Sequence, residues 1–179
     1  MGLDELYGEA IHPEPCSDPE KAVQPESLHE LDDRTGPLLQ RLVAIAEDGL
    51  LTIGCVYSNV PILWVIGEDG KMRFSLEEVV AQGTMRRLRP RLVKEALRDG
   101  ETRLGHPALL CGGKGRIGGE LLYDPGWGAT PAGWKLTNSS GRYGMLPIRN
   151  EKQLANAAQL LQNYGILVDT AFYTRRKVK

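Results

Sequence analysis

The stretch RLGHPALLCGGKGRIGGELLYDPGWGATPAGWKLTNSSGRYG, residues 103–144, decides how this chain folds. In Gly115–Tyr123, Ile117, Gly119, Leu121 and Tyr123 share one face, while Gly118, Glu120 and Leu122 share the other. That period of two is a strand. Trp134–Asn138 reads as a second strand, and Asp124–Gly133 (DPGWGATPAG) as the long connection of a hairpin. Ala108–Cys111 reads as a further strand ahead of a Gly112-Gly113 turn. A hairpin pairs its strands antiparallel.

Working outward, Thr35 or Gly36 caps a helix with Pro37 in its first turn. Leu38, Leu39, Leu42, Val43, Ile45 and Ala46 follow at helical spacing, and Gly49 stops it. Leu50–Tyr57 and Val60–Ile66 are rich in β-branched and aromatic residues and flank Ser58-Asn59, which predicts a second hairpin. Pro61 favours an edge or end position there. Glu68-Asp69-Gly70-Lys71 is a turn leading into a short strand, Met72–Phe74. Ser75-Leu76-Glu77-Glu78 has the form of a capping box and predicts a short helix to Gln82, ended by Gly83. Pro90 opens another predicted helix, with Leu92, Val93, Ala96 and Leu97 on one face and Gly100 after it. Asn150 and Gln153 cap the clearest helix, Glu151–Tyr164, whose Leu154, Ala157, Ala158 and Leu161 form one stripe. Gly165 closes it, and Ile166–Tyr173 reads as a strand. Strands and helices without regular βαβ alternation predict an α+β fold, a mostly antiparallel sheet with helices packed on one side.

At 179 residues and 41% apolar, the chain has enough material for one domain with a sizeable core. Residues 1–34 carry Pro13, Pro15, Pro19 and Pro25 among acids and show no apolar period. They are expected to form an acidic, mobile or loosely docked extension before a single α+β domain at 35–179. Residues 1–35 hold ten acids against Lys21 and Arg34, while the whole chain stands at −1, so the body is net basic. Either the body meets an anionic partner and the leader folds back over it, or an acidic tail sits in solvent. No run approaches the ~20 apolar residues of a membrane span. The acidic start lacks the basic and apolar regions of a secretory signal. Cys16, Cys55 and Cys111 make no CxxC pair and no zinc spacing with the three His. They read as reduced thiols, with Cys55 and Cys111 in the core, in a cytoplasmic protein or one delivered into a target cell by a specialised system. Nothing in the sequence names a cofactor.

Gly113-Lys114-Gly115-Arg116-Ile117-Gly118 matches G-x-G-x-x-G, but a dinucleotide loop must open a helix and this one runs into a strand. A P-loop fails because Gly115, not Ser or Thr, follows Lys114, and the kinase His-Arg-Asp and Asp-Phe-Gly segments are absent. Close approach of another backbone is the better account of these glycines.

Glu120, in mid-strand, faces either solvent or a cleft; in a cleft, with Gly118 and Gly119 making room, it would serve as a general base or hold a hydroxyl. His106, ahead of Pro107, is either an acid, base or ligand titrating near neutrality or a loop His satisfied by a carbonyl. Asn138-Ser139-Ser140-Gly141-Arg142-Tyr143 is a polar turn. Either the turn is purely structural, or, with Gly141 at positive φ, its N–H groups form an anion-binding nest, Arg142 clamps a carboxylate or phosphate, and Tyr143 walls the site. Arg86, Arg87, Arg89, Arg91 and Lys94 form the strongest basic cluster, either a contact for nucleic-acid phosphates or a solvated face.

Gly105-His106-Pro107, Gly119-Glu120 and Asn138 through Tyr143 together resemble a pattern in bacterial domains of secreted-effector or polymorphic-toxin type. There a Gly-Glu strand precedes an Asn-x-Ser-Gly-(His or Arg)-Tyr segment and then a helix. The resemblance covers roughly residues 100–170 and implies an effector or toxin domain. The Arg, Ser-Thr-Ser, Glu order of ADP-ribosyltransferases is not met. Two functions follow as expectations. One is a group-transfer site for an anionic, nucleotide-like or phosphorylated small molecule. In it His106 and Glu120 are catalytic, and residues Asn138, Ser139, Ser140, Gly141, Arg142 and Tyr143 bind the ligand. The other is a non-enzymatic immunity, adaptor or regulatory module that binds a partner protein. Convergence of His106, Glu120 and Arg142 on one concave pocket favours the first.

Overall fold

A computed structural model describes residues 2–47, 59–92, 95–126, 129 and 131–174. The expected strand Leu50–Tyr57 with Cys55, the Gly49 stop, Val93 and Lys94, and the residues after 174 lie outside this range. In chain order the elements are α1 (Leu3–Tyr7), α2 (Asp18–Ala22), β1 (His29–Glu30), α3 (Gly36–Glu47), β2 (Ile62–Gly67) and β3 (Met72–Leu76). Then come β4 (Glu78–Ala81), β5 (Arg87–Pro90), β6 (Glu101–Leu104), a 3-10 turn (His106–Leu110), β7 (Gly115–Asp124), β8 (Gly133–Thr137), α4 (Glu151–Gln162) and β9 (Asp169–Ala171).

The fold is α+β. Six strands form one sheet in the order β1-β3-β2-β7-β8-β9, and three form a second in the order β5-β4-β6. Among the described residues all pairings are antiparallel except β8 with β9. The β7–β8 hairpin sets Leu121 opposite Leu136 and Tyr123 opposite Trp134, and β2 sets Leu63 opposite Glu120. As the alternation requires, Ile117, Leu121 and Tyr123 enter the main core with Trp64, Trp134 and Leu136. Leu39 and Val43 of α3, Leu154, Ala157 and Leu161 of α4, and Tyr7 of α1 close that face. Both Trp rings also satisfy their N–H groups, Trp64 on the carbonyl of Thr137 and Trp134 on that of Val43, each at 3.2 Å. The opposite face carries a smaller cluster of Leu63, Val65, Leu109 and Tyr143, covered by Ile11, Leu28 and Leu110.

The Asn150 cap forms as expected: its side chain accepts from the Gln153 N–H at 3.1 Å, and Gln153 accepts from the Asn150 N–H at 3.2 Å. Three local expectations fail. Ser75–Glu78 opens no helix; Ser75 ends in β3, and Glu78–Ala81 pairs with β5 and β6 on both edges. The β-branched Val79 and Val80 are fully buried there, and two ladders outweigh one capping box. Pro90 ends a strand instead of opening a helix, and Leu92 and Leu97 are exposed. Ala108–Leu110 lies in a 3-10 turn because Pro107 sits in its first turn, and Cys111, expected in the core, is exposed at the left-handed residue that ends it.

The acidic leader is packed into the body. Tyr7 lies in the core, Ile11 exchanges two backbone hydrogen bonds with Gly115, and β1 adds to the sheet beside β3. Two buried arginines of the body hold its carbonyls. Arg116 donates to Gly8 at 2.7 Å and pairs with Asp4; Arg149 donates to Glu9 at 2.9 Å. Burial pushes the Arg149 guanidinium down to about 10. Further along, the Glu78 carboxylate accepts from the N–H groups of Glu26 and Ser27, each at 2.9 Å. Composition gave no sign of this, because the partners of these short segments lie more than forty residues away along the chain.

Candidate functional site

One cavity of about 360 Å3 opens between the two sheets. Glu77, the single residue between β3 and β4, forms part of its wall. Arg103 enters from β6, Gly105 and His106 from the start of the 3-10 turn, and Glu120 from β7. Ser139, Ser140, Gly141 and Arg142 come from the turn after β8, and Glu14 and Pro15 from the leader. So His106, Glu120 and four of the six residues in the expected polar turn meet at one place. Chain separation between them is large; strand register brings them together.

Glu120 stands here because it shares the non-core face of β7 with Gly118 and Leu122. Burial first, and then the negative charge of Glu77, pushes its carboxyl above the usual Glu range. A hydrogen bond from the Ser139 side chain and the charges of Arg103 and Arg91 act the other way. The glycines beside it serve protein contacts. A Cβ at Gly119 would strike the Thr137 carbonyl, and one at Gly118 would meet the Trp64 carbonyl at 2.8 Å. Thus the room they make is filled by neighbouring chain, the close backbone approach expected of glycine in a strand, and not by a ligand.

His106 is buried, and its Nε2 lies 2.8 Å from the Gly119 carbonyl. A carbonyl only accepts, so Nε2 carries the proton and Nδ1 is left as an acceptor. Burial depresses the ring to about 4, against the pull of that carbonyl, and the charges of Arg142 and Arg103 lower it further. Of the two readings of His106, the loop His satisfied by a carbonyl is the one the geometry matches, and the ring is a neutral acceptor there.

The turn after β8 divides. Asn138 is fully buried and turned inward. Its Nδ2 donates to the carbonyls of Gly144 at 3.1 Å and Tyr173 at 2.9 Å, and its Oδ1 accepts from the Tyr173 N–H at 2.6 Å. Tyr143 is also fully buried, with its hydroxyl on the Gly113 carbonyl at 2.9 Å; burial drives its phenol far up. Neither lines the cavity. They fix the turn that presents Ser139–Arg142. Gly141 does not take positive φ, and the N–H groups of Ser139 and Ser140 bond within the turn, to the Thr137 hydroxyl and the Asn138 carbonyl. The expected anion nest is therefore not built. Arg142 lines the cavity and uses Nη2 to donate to Glu20 at 2.8 Å.

Sequence reasoning missed Glu77 and Arg103. Glu77 falls inside a segment that reads as a helix start with Glu78 as the capping acid, but its buried carboxylate pairs with Arg91 at 2.6 Å and Arg103 at 3.6 Å. The signal was available in the charge pattern, since three arginines of the 86–91 cluster find acids. Arg87 lies 3.8 Å from Glu78, Arg89 pairs with Glu95 and Glu101 at 2.5 and 3.2 Å, and Arg91 pairs with Glu77. Much of the apparent basic patch is thereby neutralised. Among the described residues no group of His, Cys, Asp or Glu could hold a metal ion, and no helix is long and apolar enough to cross a membrane.

Comparison with family models, with curated proteins and with solved structures gives no match to this chain.

Proposed function

We propose that this protein is a group-transfer enzyme of bacterial effector or toxin type, working through the cavity between its two sheets. Its substrate carries an anionic, phosphorylated or nucleotide-like group beside hydroxyls. The observation that carries the reading is the convergence of Glu120, His106 and Arg142, from three separate segments, on one concave polar site. Arg103 and Arg142 face the anionic group: Arg103 is half exposed, and Arg142 spends one of its guanidinium nitrogens on Glu20. The Glu120 carboxyl, held above the usual Glu range by burial, exchanges a proton with the transferring group or its acceptor. His106 offers Nδ1 to a hydroxyl of the substrate. A non-enzymatic module for a partner protein needs no such convergence, and the pairing of Arg87, Arg89 and Arg91 with acids weakens a nucleic-acid face. The effector or toxin assignment rests on the Gly-Glu and Asn-Ser-Ser-Gly-Arg-Tyr segments.

Expression in a bacterial host tests it. Wild type is expected to arrest growth, and Glu120→Ala, at the same soluble level, to leave growth intact. Equal growth of the two strains sinks the reading.

A further inference from the structure

The leader supplies a part of the cavity that the polar turn cannot supply for itself. Of the ten acids in residues 1–35, Glu20 alone is buried, with 3% of its surface exposed. Both oxygens of its carboxylate are committed. Oε2 accepts from the Ser17 N–H at 3.0 Å and the Ser17 hydroxyl at 2.8 Å, which caps α2. Oε1 reaches the other way and accepts from Arg142 Nη2 at 2.8 Å.

Gly105 has a matching role. Its φ of −83° demands no glycine. A Cβ there, however, would lie 2.5 Å from Arg142 Nη2 and 2.9 Å from Glu20 Oε1. The glycine of the Gly-His-Pro segment thus leaves clearance for the ion pair. Arg142 also sits on a turn whose backbone is fixed from inside by Asn138 and Tyr143, so the remaining freedom lies in its long side chain. A partly buried, charge-assisted pair removes that freedom.

We infer that Glu20 is a positioning residue: it holds the Arg142 guanidinium so that the rest of the fork faces the cavity. This rests on the reading of the cavity above, and it adds that the site is complete only with the leader docked. Glu14 and Pro15, in the same leader segment, form another part of the wall.

The test uses the full chain. Glu20→Gln keeps an oxygen for Ser17 and removes the charge that holds Arg142. Gly105→Ala leaves both charges and displaces the pair. Two readouts are taken: modification of Arg142 by phenylglyoxal, mapped by peptide mass, and binding of inorganic phosphate. Amide exchange at Tyr7 and Ile11 reports whether the leader stays docked. With leader exchange unchanged, both variants are expected to raise Arg142 modification several-fold and to weaken phosphate about tenfold. Unchanged Arg142 modification in Glu20→Gln overturns the inference, whatever binds. Raised modification with wild-type phosphate affinity also overturns it, leaving a contact that only pins the leader. Raised modification where wild type itself binds no phosphate leaves Glu20 as the residue that holds Arg142 and counts against the cavity reading instead.

Discussion

His106 and Glu120 face the same cavity, yet burial acts on their charged forms with opposite consequences for pH. For His106 the folded state favours the neutral ring, depressed to about 4 from an ordinary 6.5. Its contribution to stability is complete above 6.5, falls as pH drops below that value and is gone below about 4. The full swing is about 3 kcal/mol. Chemical denaturation between pH 7.5 and 4 should show this loss in wild type and lack it in His106→Gln; parallel profiles would place the imidazole in water. For Glu120 the folded carboxyl is raised, so the ionised group is a cost to the fold above the ordinary 4.5, and the cost disappears at lower pH. Glu120→Gln should therefore be the more stable protein at pH 7 and lose that advantage at pH 4. A variant less stable at both pH values would refute the burial account. At Gly119 the constraint is steric, since a Cβ would strike the Thr137 carbonyl. Gly119→Ala should cost at least about 2 kcal/mol in a thermal or urea melt, the scale of overpacking in a tight core. That glycine was readable from its place in a strand. The inward turn of Asn138 was not, since its partner Tyr173 lies far along the chain.

At the scale of elements, local signals succeeded where they agreed with burial and failed where a distant partner offered more. The Asn150 cap sits before an apolar stripe that faces the core, so cap and packing agree. Asn150→Ala should lower stability by about 1 kcal/mol without changing the fold. Ser75–Glu78 has equally good capping chemistry, but Val79 and Val80 bury completely as a central strand between β5 and β6. Glu77, between β3 and β4, is the buried partner of Arg91 and Arg103. Removing it leaves Arg91 partly buried without its carboxylate, so Glu77→Ala should destabilise by about 3 kcal/mol. Urea denaturation decides this; a loss under 1 kcal/mol would show a solvated pair. The two errors at 75–82 and 90–97 share a cause. Caps and prolines mark where a helix is allowed to start, whereas the strands of the small sheet are specified by pairings 7 to 26 residues away.

For the molecule as a whole, the α+β fold with mostly antiparallel pairing was legible in alternation and spacing. The cavity was legible in part: its chemistry lay in residues 105–142, but its walls come from Glu77, Arg103 and the leader. An acidic, proline-containing segment looks separable by composition, whereas here Arg116 and Arg149 each bury a charge on its carbonyls. Removing residues 2–34 would strand those guanidinium groups and uncover Tyr7's place in the core. The shortened chain should be recovered as aggregate or with a melting transition far below that of the full chain, and a well-folded product would contradict the packing described. The most direct measurement of the central claim is an amide and side-chain NMR titration of the full protein with ribose 5-phosphate, which pairs an anion with hydroxyls. The account predicts saturable shifts confined to Arg103, His106, Glu120 and Ser139–Arg142, weakened in Glu120→Gln. Shifts centred on Arg86–Arg91, or none near Glu120, would contradict it.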